Sequence, residues 1–563
     1  MMGKVRAGRW AVVGGVGLAI GCGIGLAADA PRPAAIEVGE VPAVPAELMQ
    51  HLRMYQSIRG AAFAGWDPAG NGMLIRTRFG NSAQLHRVYA PGGRREQITF
   101  FDEPCGGRFV QGTTAEKYLL AMSAGGNENN QVYVFDRNAY TTRMVTDGKS
   151  RNSTGPMRED GSQVIVSSNA RNGKDTDLFL LDLTKGDSSL KPLLEVKDEF
   201  WSAADWSVDG KTVLLSKYVS ANESYPAVLD MESGKRTMLP LVKEGVKAAH
   251  GPMGFLPVGK SALVASDAVG EFRQLYQLSL KEGTYKPLTA DIPWDVDELA
   301  IDTKSGQAAF TVNEDGSSRL YWLVPQKDGS FVRKTLEVPL SILGGLEFSP
   351  DGKQLGMSLS RPDAPADVYS LELATGTVTR WTFSETGGLN PKKFVLPKKI
   401  SFKSFDGLSV PAYYYPARTE NGKKAPVLIM IHGGPEGQSQ PYFSGMVQYF
   451  AGELGISVIL PNVRGSAGYG KTYLKLDNAE LREDSVKDIG ALLDWIKDQP
   501  ELAADKVAVK WRLLWRLYGA GFAGAFWRAD QSGRRHCGDR ELQHVFGEHG
   551  LLPCGPTACG VWR

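Results

Sequence analysis

The chain has 563 residues, with 64 Lys and Arg against 62 Asp and Glu, a formal charge of +2. At about 150 residues per domain this length implies two or more domains, and 42% hydrophobic with 22% charged residues is ordinary globular composition. The balanced charge excludes a polybasic nucleic-acid binder, five cysteines exclude a disulfide scaffold, and 65 glycines favour a turn-rich, all-β component. One block departs from the rest: Trp511 to Arg563 holds three of the five Cys, four of the twelve Trp and three of the seven His, and no Lys, Ile or Met.

At the N-terminus Lys4, Arg6 and Arg9 precede an apolar run from Trp10 to Leu26, and Gly25-Leu26-Ala27 offers a small-residue cleavage site. Residues 1–27 therefore read as a signal peptide, and the product is expected to be exported, periplasmic or extracellular, with no stable membrane partner. A run of ~17 residues is near the lower limit for a membrane span, so a retained anchor is the alternative. A lipoprotein reading through Cys22 is weaker because Leu18 sits one place too far away. Removing the leader leaves Cys105 as the only cysteine before the odd block, so export does not serve disulfide formation.

Residues 55–390 repeat a unit of ~45 residues: an Asp/Gly turn, an apolar run, a polar turn and a second apolar run. The clearest turns are Trp206-Ser207-Val208-Asp209-Gly210-Lys211 and Phe348-Ser349-Pro350-Asp351-Gly352-Lys353, followed by Val213-Leu214-Leu215 and Leu355-Gly356-Met357. Closing runs include Leu178-Phe179-Leu180-Leu181-Asp182 and Val368-Tyr369-Ser370-Leu371. Weaker copies start near Trp66, Ala115, Arg158, Phe255 and Asp302. Asp-Gly supplies a φ > 0 turn between short strands, and such small sheets must stack radially to bury both faces. A seven-bladed β-propeller is expected, with a β-sandwich disfavoured by the regular period.

From residue 395 the pattern changes. Ile400-Ser401-Phe402 and Val410 to Tyr414 flank Asp406-Gly407 as a hairpin, and Pro426 to His432 is a continuous apolar run suited to a strand buried on both faces. Tyr442 to Leu454 has helical spacing, Ile456 to Pro461 is a second buried strand, and Val486, Ile489, Leu492, Leu493 and Ile496 share one face of a helix over 484–499. That helix reads as a packing element. Lys506-Val507-Ala508-Val509 starts a third strand, so residues 395–510 open a doubly wound parallel sheet. Two loops there could carry chemistry. His432-Gly433-Gly434-Pro435 follows a buried strand, where glycines let backbone approach a ligand. In Asn462-Val463-Arg464-Gly465-Ser466-Ala467-Gly468-Tyr469-Gly470 the Tyr469 hydroxyl could donate to a developing oxyanion. Ser466 is no nucleophile elbow, because Arg464 stands where Gly is needed.

HGGP, NVRGSAGYG and the helix with Asp488, Asp494 and Trp495 together resemble the prolyl oligopeptidase family of serine peptidases, over roughly residues 55–510. The resemblance implies a propeller capping an α/β-hydrolase domain, peptide substrates, a Ser-His-Asp triad and Tyr469 as side-chain oxyanion donor. The leader and the wording HGGPEGQ are similar to exported bacterial members of the acylaminoacyl- or dipeptidyl-peptidase kind.

After Val509 the family continues with Gly-Gly-Ser-Tyr-Gly-Gly, but this chain reads Lys510-Trp511-Arg512-Leu513-Leu514-Trp515-Arg516 and contains no G-x-S-x-G anywhere. Too few residues remain for the triad Asp and His, so nucleophile, Asp and His are all missing and the hydrolase domain reads as its N-terminal part alone. The genetic code accounts for the break. Trp is TGG and Arg codons begin with C or A, so Trp-Arg read one base later is GGC or GGA, which is Gly. Trp511-Arg512 and Trp515-Arg516 thus force two glycines four codons apart, the frame of G-x-S-x-G. The intervening codons permit Ser and Tyr, Leu517-Tyr518-Gly519 permits Phe-Met, and Glu541 to Gly550 permits Asn-Phe-Asn-Thr-Phe-Leu-Glu-Asn-Thr. One extra base near codon 510, or the loss of two, makes 511–563 an out-of-frame tail and accounts for its composition.

The expected function is serine peptidase chemistry on short peptides, absent from the chain as translated. The alternative is an exported propeller acting as a non-catalytic binding or scaffold protein. A lipase-like hydrolase with an unrelated propeller would also allow HGGP, but the loop with Tyr469 argues against it. No cofactor is implied. His536, Cys537, His544, His549, Cys554 and Cys559 match no zinc spacing, so no metal site is expected.

Overall fold

The computed structural model describes residues 45–511, apart from 113–115, 186–189, 240–245, 258–260, 420–421 and 435. The expected leader at 1–27 and, beyond the backbone of Trp511, the block 511–563 lie outside the described residues. No helix among the described residues is long and apolar enough to cross a membrane.

Seven four-stranded antiparallel sheets follow one another, each made from four consecutive strands. They are the blades of the expected propeller. Blade 1 is Ala61–Trp66, Met73–Thr77, Gln84–Val88 and Arg95–Gln97; blade 7 is Ile342–Phe348, Gln354–Arg361, Ala364–Glu372 and Val378–Arg380. First strands of adjacent blades lie against one another around most of the ring, so they line its centre.

The Asp-Gly turns join the first and second strands of a blade. In blade 4, between Phe200–Trp206 and Thr212–Ser220, Ser207 Oγ donates to Asp209 at 2.7 Å and accepts the Thr212 N–H at 2.9 Å, while Gly210 takes φ +67°. Blade 7 repeats this with Ser349 Oγ on Asp351 at 2.7 Å, the Gln354 N–H on Ser349 Oγ at 3.0 Å, and Gly352 at φ +69°. The serine and aspartate satisfy donors that the ladder cannot reach inside the turn, and glycine takes a backbone conformation that L side chains rarely adopt. The apolar runs after each turn are the second and third strands, sandwiched between blades. Val213, Leu214, Leu215, Leu355 and Met357 have no exposed surface.

Carboxylates on the innermost strands tie one blade to the next. Asp205 of blade 4 accepts the Phe255 N–H of blade 5 at 2.8 Å. Glu298 of blade 6 accepts the Gly345 and Leu346 N–H groups of blade 7 at 3.3 and 3.2 Å. Burial raises the Asp205 carboxyl to about 6 and the Glu347 carboxyl to about 7.

The second unit is a five-stranded sheet in the order Lys398–Lys403, Ser409–Tyr415, Ser457–Pro461, Ala425–Ile431, Leu502–Trp511. The first two strands form the expected hairpin, and the last three are parallel. Helix Asp484–Lys497 packs Val486, Ile489, Leu492 and Ile496 on one face of the sheet, and the helical stretch 445–453 packs Val447 and Ala451 on the other. This is the doubly wound arrangement. The helical stretch is shorter than its spacing suggests. Tyr442 and Phe443 precede the cap Ser444, whose hydroxyl accepts the Val447 N–H, and the turn widens to a π-helix over Tyr449–Glu453. The third strand begins at Leu502 rather than Lys506. A further helix, Ala46–Gln56, lies before blade 1 and sets Tyr55 edge-on to Tyr449 at 5.1 Å.

The raised channel carboxyls set a pH dependence. A carboxyl whose folded pKa is above its unfolded value keeps its proton longer in the native state, so stability falls as pH rises. For Glu347 the fall runs from about 4.5 to about 7. Denaturant unfolding across that range should show Glu347→Gln with a flatter profile than the parent and relatively greater stability above pH 7; a parallel profile would contradict the assignment.

Candidate active site

Two loops leave the carboxyl ends of the parallel strands Ala425–Ile431 and Ser457–Pro461, the end at which open α/β sheets present ligand sites. The first begins at His432. One ring nitrogen lies 2.8 Å from Ser466 Oγ in the second loop and the other 3.0 Å from the Gly433 carbonyl. Burial holds the imidazole pKa below its usual value, so the ring stays neutral and donates only one of these bonds. The distance is that of a nucleophile–base pair, but Ser466 is wholly buried and its hydroxyl donates to the Val463 carbonyl at 2.6 Å. The contact ties the two loops together and offers no reacting atom to a substrate. Pro435 of the HGGP segment lies outside the described residues.

The second loop is anchored by charge. Arg464 donates to Asp488 from Nη2 at 2.8 Å, from Nε at 3.0 and 3.1 Å, and from its backbone N–H at 2.9 Å. It also forks onto Asp406 at 3.0 and 3.1 Å, and Ser404 Oγ donates to Asp488 at 2.5 Å. Asp488 is fully buried, on the helix read from the sequence as packing alone. The sequence signal was a carboxylate beside Ile489 on an otherwise apolar helix face. Three elements distant in sequence thus fix one loop: the hairpin turn at 404–407, the loop itself, and the helix Asp484–Lys497.

That loop delivers Tyr469 to the seam with the propeller. Its hydroxyl accepts from Asn462 Nδ2 at 2.9 Å and donates to Asp315 Oδ1, a propeller residue, at 3.0 Å. The ring packs against Trp294 at 6.3 Å and Tyr473 at 5.4 Å. Burial, and then the Asp315 charge, push the phenol pKa well above its usual value, so the group is a proton donor at any ordinary pH. Gly468 holds φ +86°, and a Cβ there would lie 2.6 Å from Gln438 Nε2 and 2.9 Å from Asn313 Nδ2. The positive φ favours glycine here, and a Cβ would have to displace the Gln438 and Asn313 amides that link the loop to the propeller.

The propeller tips meet the same loops. Asn313 Nδ2 donates to Gln438 at 2.7 Å, Lys471 Nζ to the Asp267 carbonyl at 2.9 Å, and Thr472 Oγ1 to Glu271 at 2.9 Å. None of these partners was singled out by sequence, because their contacts cross well over a hundred residues and leave no local pattern. Among the described residues no group of His, Cys, Asp and Glu could hold a metal ion. The histidines and cysteines of 536–559 lie outside the described residues, as does the expected position of the nucleophile.

Removing one partner of a buried ion pair leaves the other uncompensated, at a cost of about 3–5 kcal/mol. Asp488→Ala should therefore lower unfolding free energy by that amount in urea titration. Lys497→Ala, which removes an exposed pair with Asp494, should cost under ~1 kcal/mol. Equal effects would show that Arg464 is not held by charge.

The model of the prolyl oligopeptidase family matches residues 441–510, which contain Arg464, Tyr469 and Asp488. The chain is 24% identical to dipeptidyl aminopeptidase BIII of Pseudoxanthomonas mexicana over 410 residues, 69% of this chain and 57% of that protein. It is 25% identical to the uncharacterized peptidase YuxL of Bacillus subtilis over 222 residues, 38% of this chain and 32% of that one. The chain thus spans less than two thirds of either relative. Among solved structures it is similar in fold to a prolyl endopeptidase (TM-score 0.69, 15% identity, 83% of this chain and 71% of that one) and to a puromycin hydrolase (TM-score 0.68, 18% identity, 84% and 77%). Behind its seven-bladed propeller, in a fold shared with those solved structures, this chain carries at residues 441–510 a match to the prolyl oligopeptidase family of peptidases.

Proposed function

We propose that the gene encodes an exported serine peptidase acting on short peptides, with Tyr469 as one oxyanion donor, and that the polypeptide as translated has lost its nucleophile to a shift of frame. The observation that carries this reading is a register. Ile431 pairs with Trp511 across the parallel strands Ala425–Ile431 and Leu502–Trp511. The Gly-Gly-Ser-Tyr-Gly-Gly permitted by codons 511–516 would therefore start where its strand ends, beside the loop that begins at His432. A nucleophile elbow belongs at such a strand-to-helix turn.

In that arrangement the serine Oγ attacks the scissile carbonyl, a histidine held by an aspartate takes its proton and passes it to the leaving amine, and the carbonyl oxygen gathers charge. The backbone N–H after the serine and the Tyr469 hydroxyl receive that charge. The propeller restricts entry to peptides small enough to reach the seam. Dipeptidyl aminopeptidase BIII and the prolyl endopeptidase fold support peptide bonds as the substrate class.

The chain of 563 residues as given should release no chromophore from peptidyl or aminoacyl chromogenic esters, and clear serine-type turnover would sink the frameshift reading. Resequencing codon 510 decides between a sequencing error and a genuine lesion. Deleting one base there should restore both the elbow and activity. In the restored enzyme Tyr469→Phe should lower kcat by about 10²–10³-fold. If restoration yields no hydrolysis, a non-catalytic exported binding protein becomes the better reading. Fractionation of the producing cells tests export, which the basic and apolar pattern of residues 1–27 supports.

A further inference from the structure

Asp315 sits at the tip of the hairpin between the blade 6 strands Ala308–Glu314 and Ser317–Pro325. It takes φ +50° and Gly316 takes φ +79°, a two-residue turn with both centres in the left-handed region. All three of its oxygens are engaged by the peptidase unit. The carbonyl accepts from the Tyr413 hydroxyl at 2.6 Å, Oδ1 from the Tyr469 hydroxyl at 3.0 Å, and Oδ2 pairs with Lys399 Nζ at 3.1 Å. Its neighbour Asn313 accepts the Gly316 N–H at 2.9 Å and donates to Gln438 at 2.7 Å. A Cβ on Gly316 would lie 2.6 Å from the Tyr413 hydroxyl oxygen, so the turn can seat only as it is.

A phenol has one proton to give. Asn462 Nδ2 fills an acceptor position of the Tyr469 oxygen, and the proton goes to Asp315. The acceptor is a carboxylate oxygen, the same chemical kind of group as the tetrahedral oxyanion that this hydroxyl would serve. We propose that Asp315 is a positioning residue that holds the Tyr469 proton while propeller and peptidase unit are closed on each other, so that a substrate recruits the hydroxyl only when the blade 6 turn gives it up. The propeller then governs the oxyanion arm directly, beyond limiting which peptides enter. Lys399 keeps the Asp315 charge in place when the hydroxyl turns away, and Asn462 keeps the tyrosine oxygen in position. No atom is transferred; the step is a change of hydrogen-bond acceptor.

This inference rests on Tyr469 being the oxyanion donor, and the two fail separately. Failure of the donor role appears as an undiminished kcat in Tyr469→Phe of the restored enzyme. Failure of the Asp315 contact appears in the full chain as it stands, by fluorine NMR at neutral pH with Tyr469→3-fluorotyrosine. The 469 resonance should move in Asp315→Ala and move part-way in Asp315→Asn, which keeps an acceptor and the turn but loses the charge. It should stay in place in Lys399→Ala, which weakens the seam but spares the hydroxyl, and in Glu314→Gln, whose side chain faces Arg319. A resonance unmoved by Asp315→Ala and Asp315→Asn would overturn the proposal. Equal movement in Lys399→Ala would also overturn it, by reducing Asp315 to general adhesion between the units.

Discussion

The propeller closes without strand exchange, and the placement of the site depends on that closure. Every blade is built from four consecutive strands, so among the described residues no sheet is shared between blade 7 and blade 1. Backbone crosses the seam only locally, with Ile58 bridging Thr386, the Arg59 N–H on the Glu385 carbonyl at 3.1 Å and the Gly92 N–H on the Trp381 carbonyl at 3.0 Å, and side chains supply the rest. Phe63, Trp66, Val368 and Trp381 form one buried cluster, with Trp66 edge-on to Trp381 at 5.9 Å. Trp66 Nε1 donates to the Glu347 carbonyl at 3.2 Å, and the Phe63 N–H to Ser358 Oγ at 2.8 Å. Aromatic burial of this kind is strong but non-directional, which explains the few directed bonds accompanying it. The peptidase unit reinforces the same region: Gln448 donates to the Pro362 carbonyl of the blade 7 tip at 3.0 Å, and Tyr55 of the leading helix rests on Tyr449.

A closed ring fixes the tips of blades 5, 6 and 7 relative to one another; blades 5 and 6 meet the loop that carries Tyr469 and its end at Lys471, while blade 7 meets Phe443 and Gln448. On the peptidase side the loop is fixed by the Arg464–Asp488 pair and by Asn462. The Asn462 Oδ1 accepts the Ser439 N–H at 2.6 Å, its Nδ2 serves both the Ser439 carbonyl and Tyr469, and its own carbonyl accepts the Tyr473 hydroxyl at 2.7 Å. Buried pairs seldom add net stability over apolar packing. Their value here is positional: each bond specifies one geometry for a loop whose glycines would otherwise permit many.

The legible part of the sequence was whatever local chemistry repeats. Two clear Asp-Gly turns and five weaker copies at a regular spacing, each followed by apolar runs, indicated the blade number because turn chemistry is confined to a few adjacent residues. The second and third strands of each blade were visible because they are buried on both faces. The outermost strands, such as Thr141–Met144, are largely exposed and carry no apolar signal. The innermost strands mix small and charged residues, since one side lines the channel, and nothing in the local pattern marked Asp205 or Glu347 there. In the peptidase unit Tyr469 was recognisable from its loop motif. Its acceptor was not, because an Asp-Gly pair at 315–316 says turn whichever partner the turn meets. Asp488 was noted only as part of the family motif; its pairing with Arg464 was not visible, because the amphipathic spacing of its helix was already explained.

The proposed reading also bounds what the chain can do. One oxyanion donor is worth roughly 2.7–4 kcal/mol of transition-state stabilisation. With the triad removed, an oxyanion hole and binding together leave only about 10³–10⁴-fold over water. In the proposed reading Tyr469 is one arm of such a hole, and its hydroxyl is bonded to Asp315. His432 and Ser466 cannot make up the difference: they are a hydrogen-bonded pair at the right distance, but the serine has no exposed surface and already donates to Val463. In the proposed reading catalysis turns on a nucleophile placed just after the strand Leu502–Trp511, where the residues following Val509 depart from the family pattern.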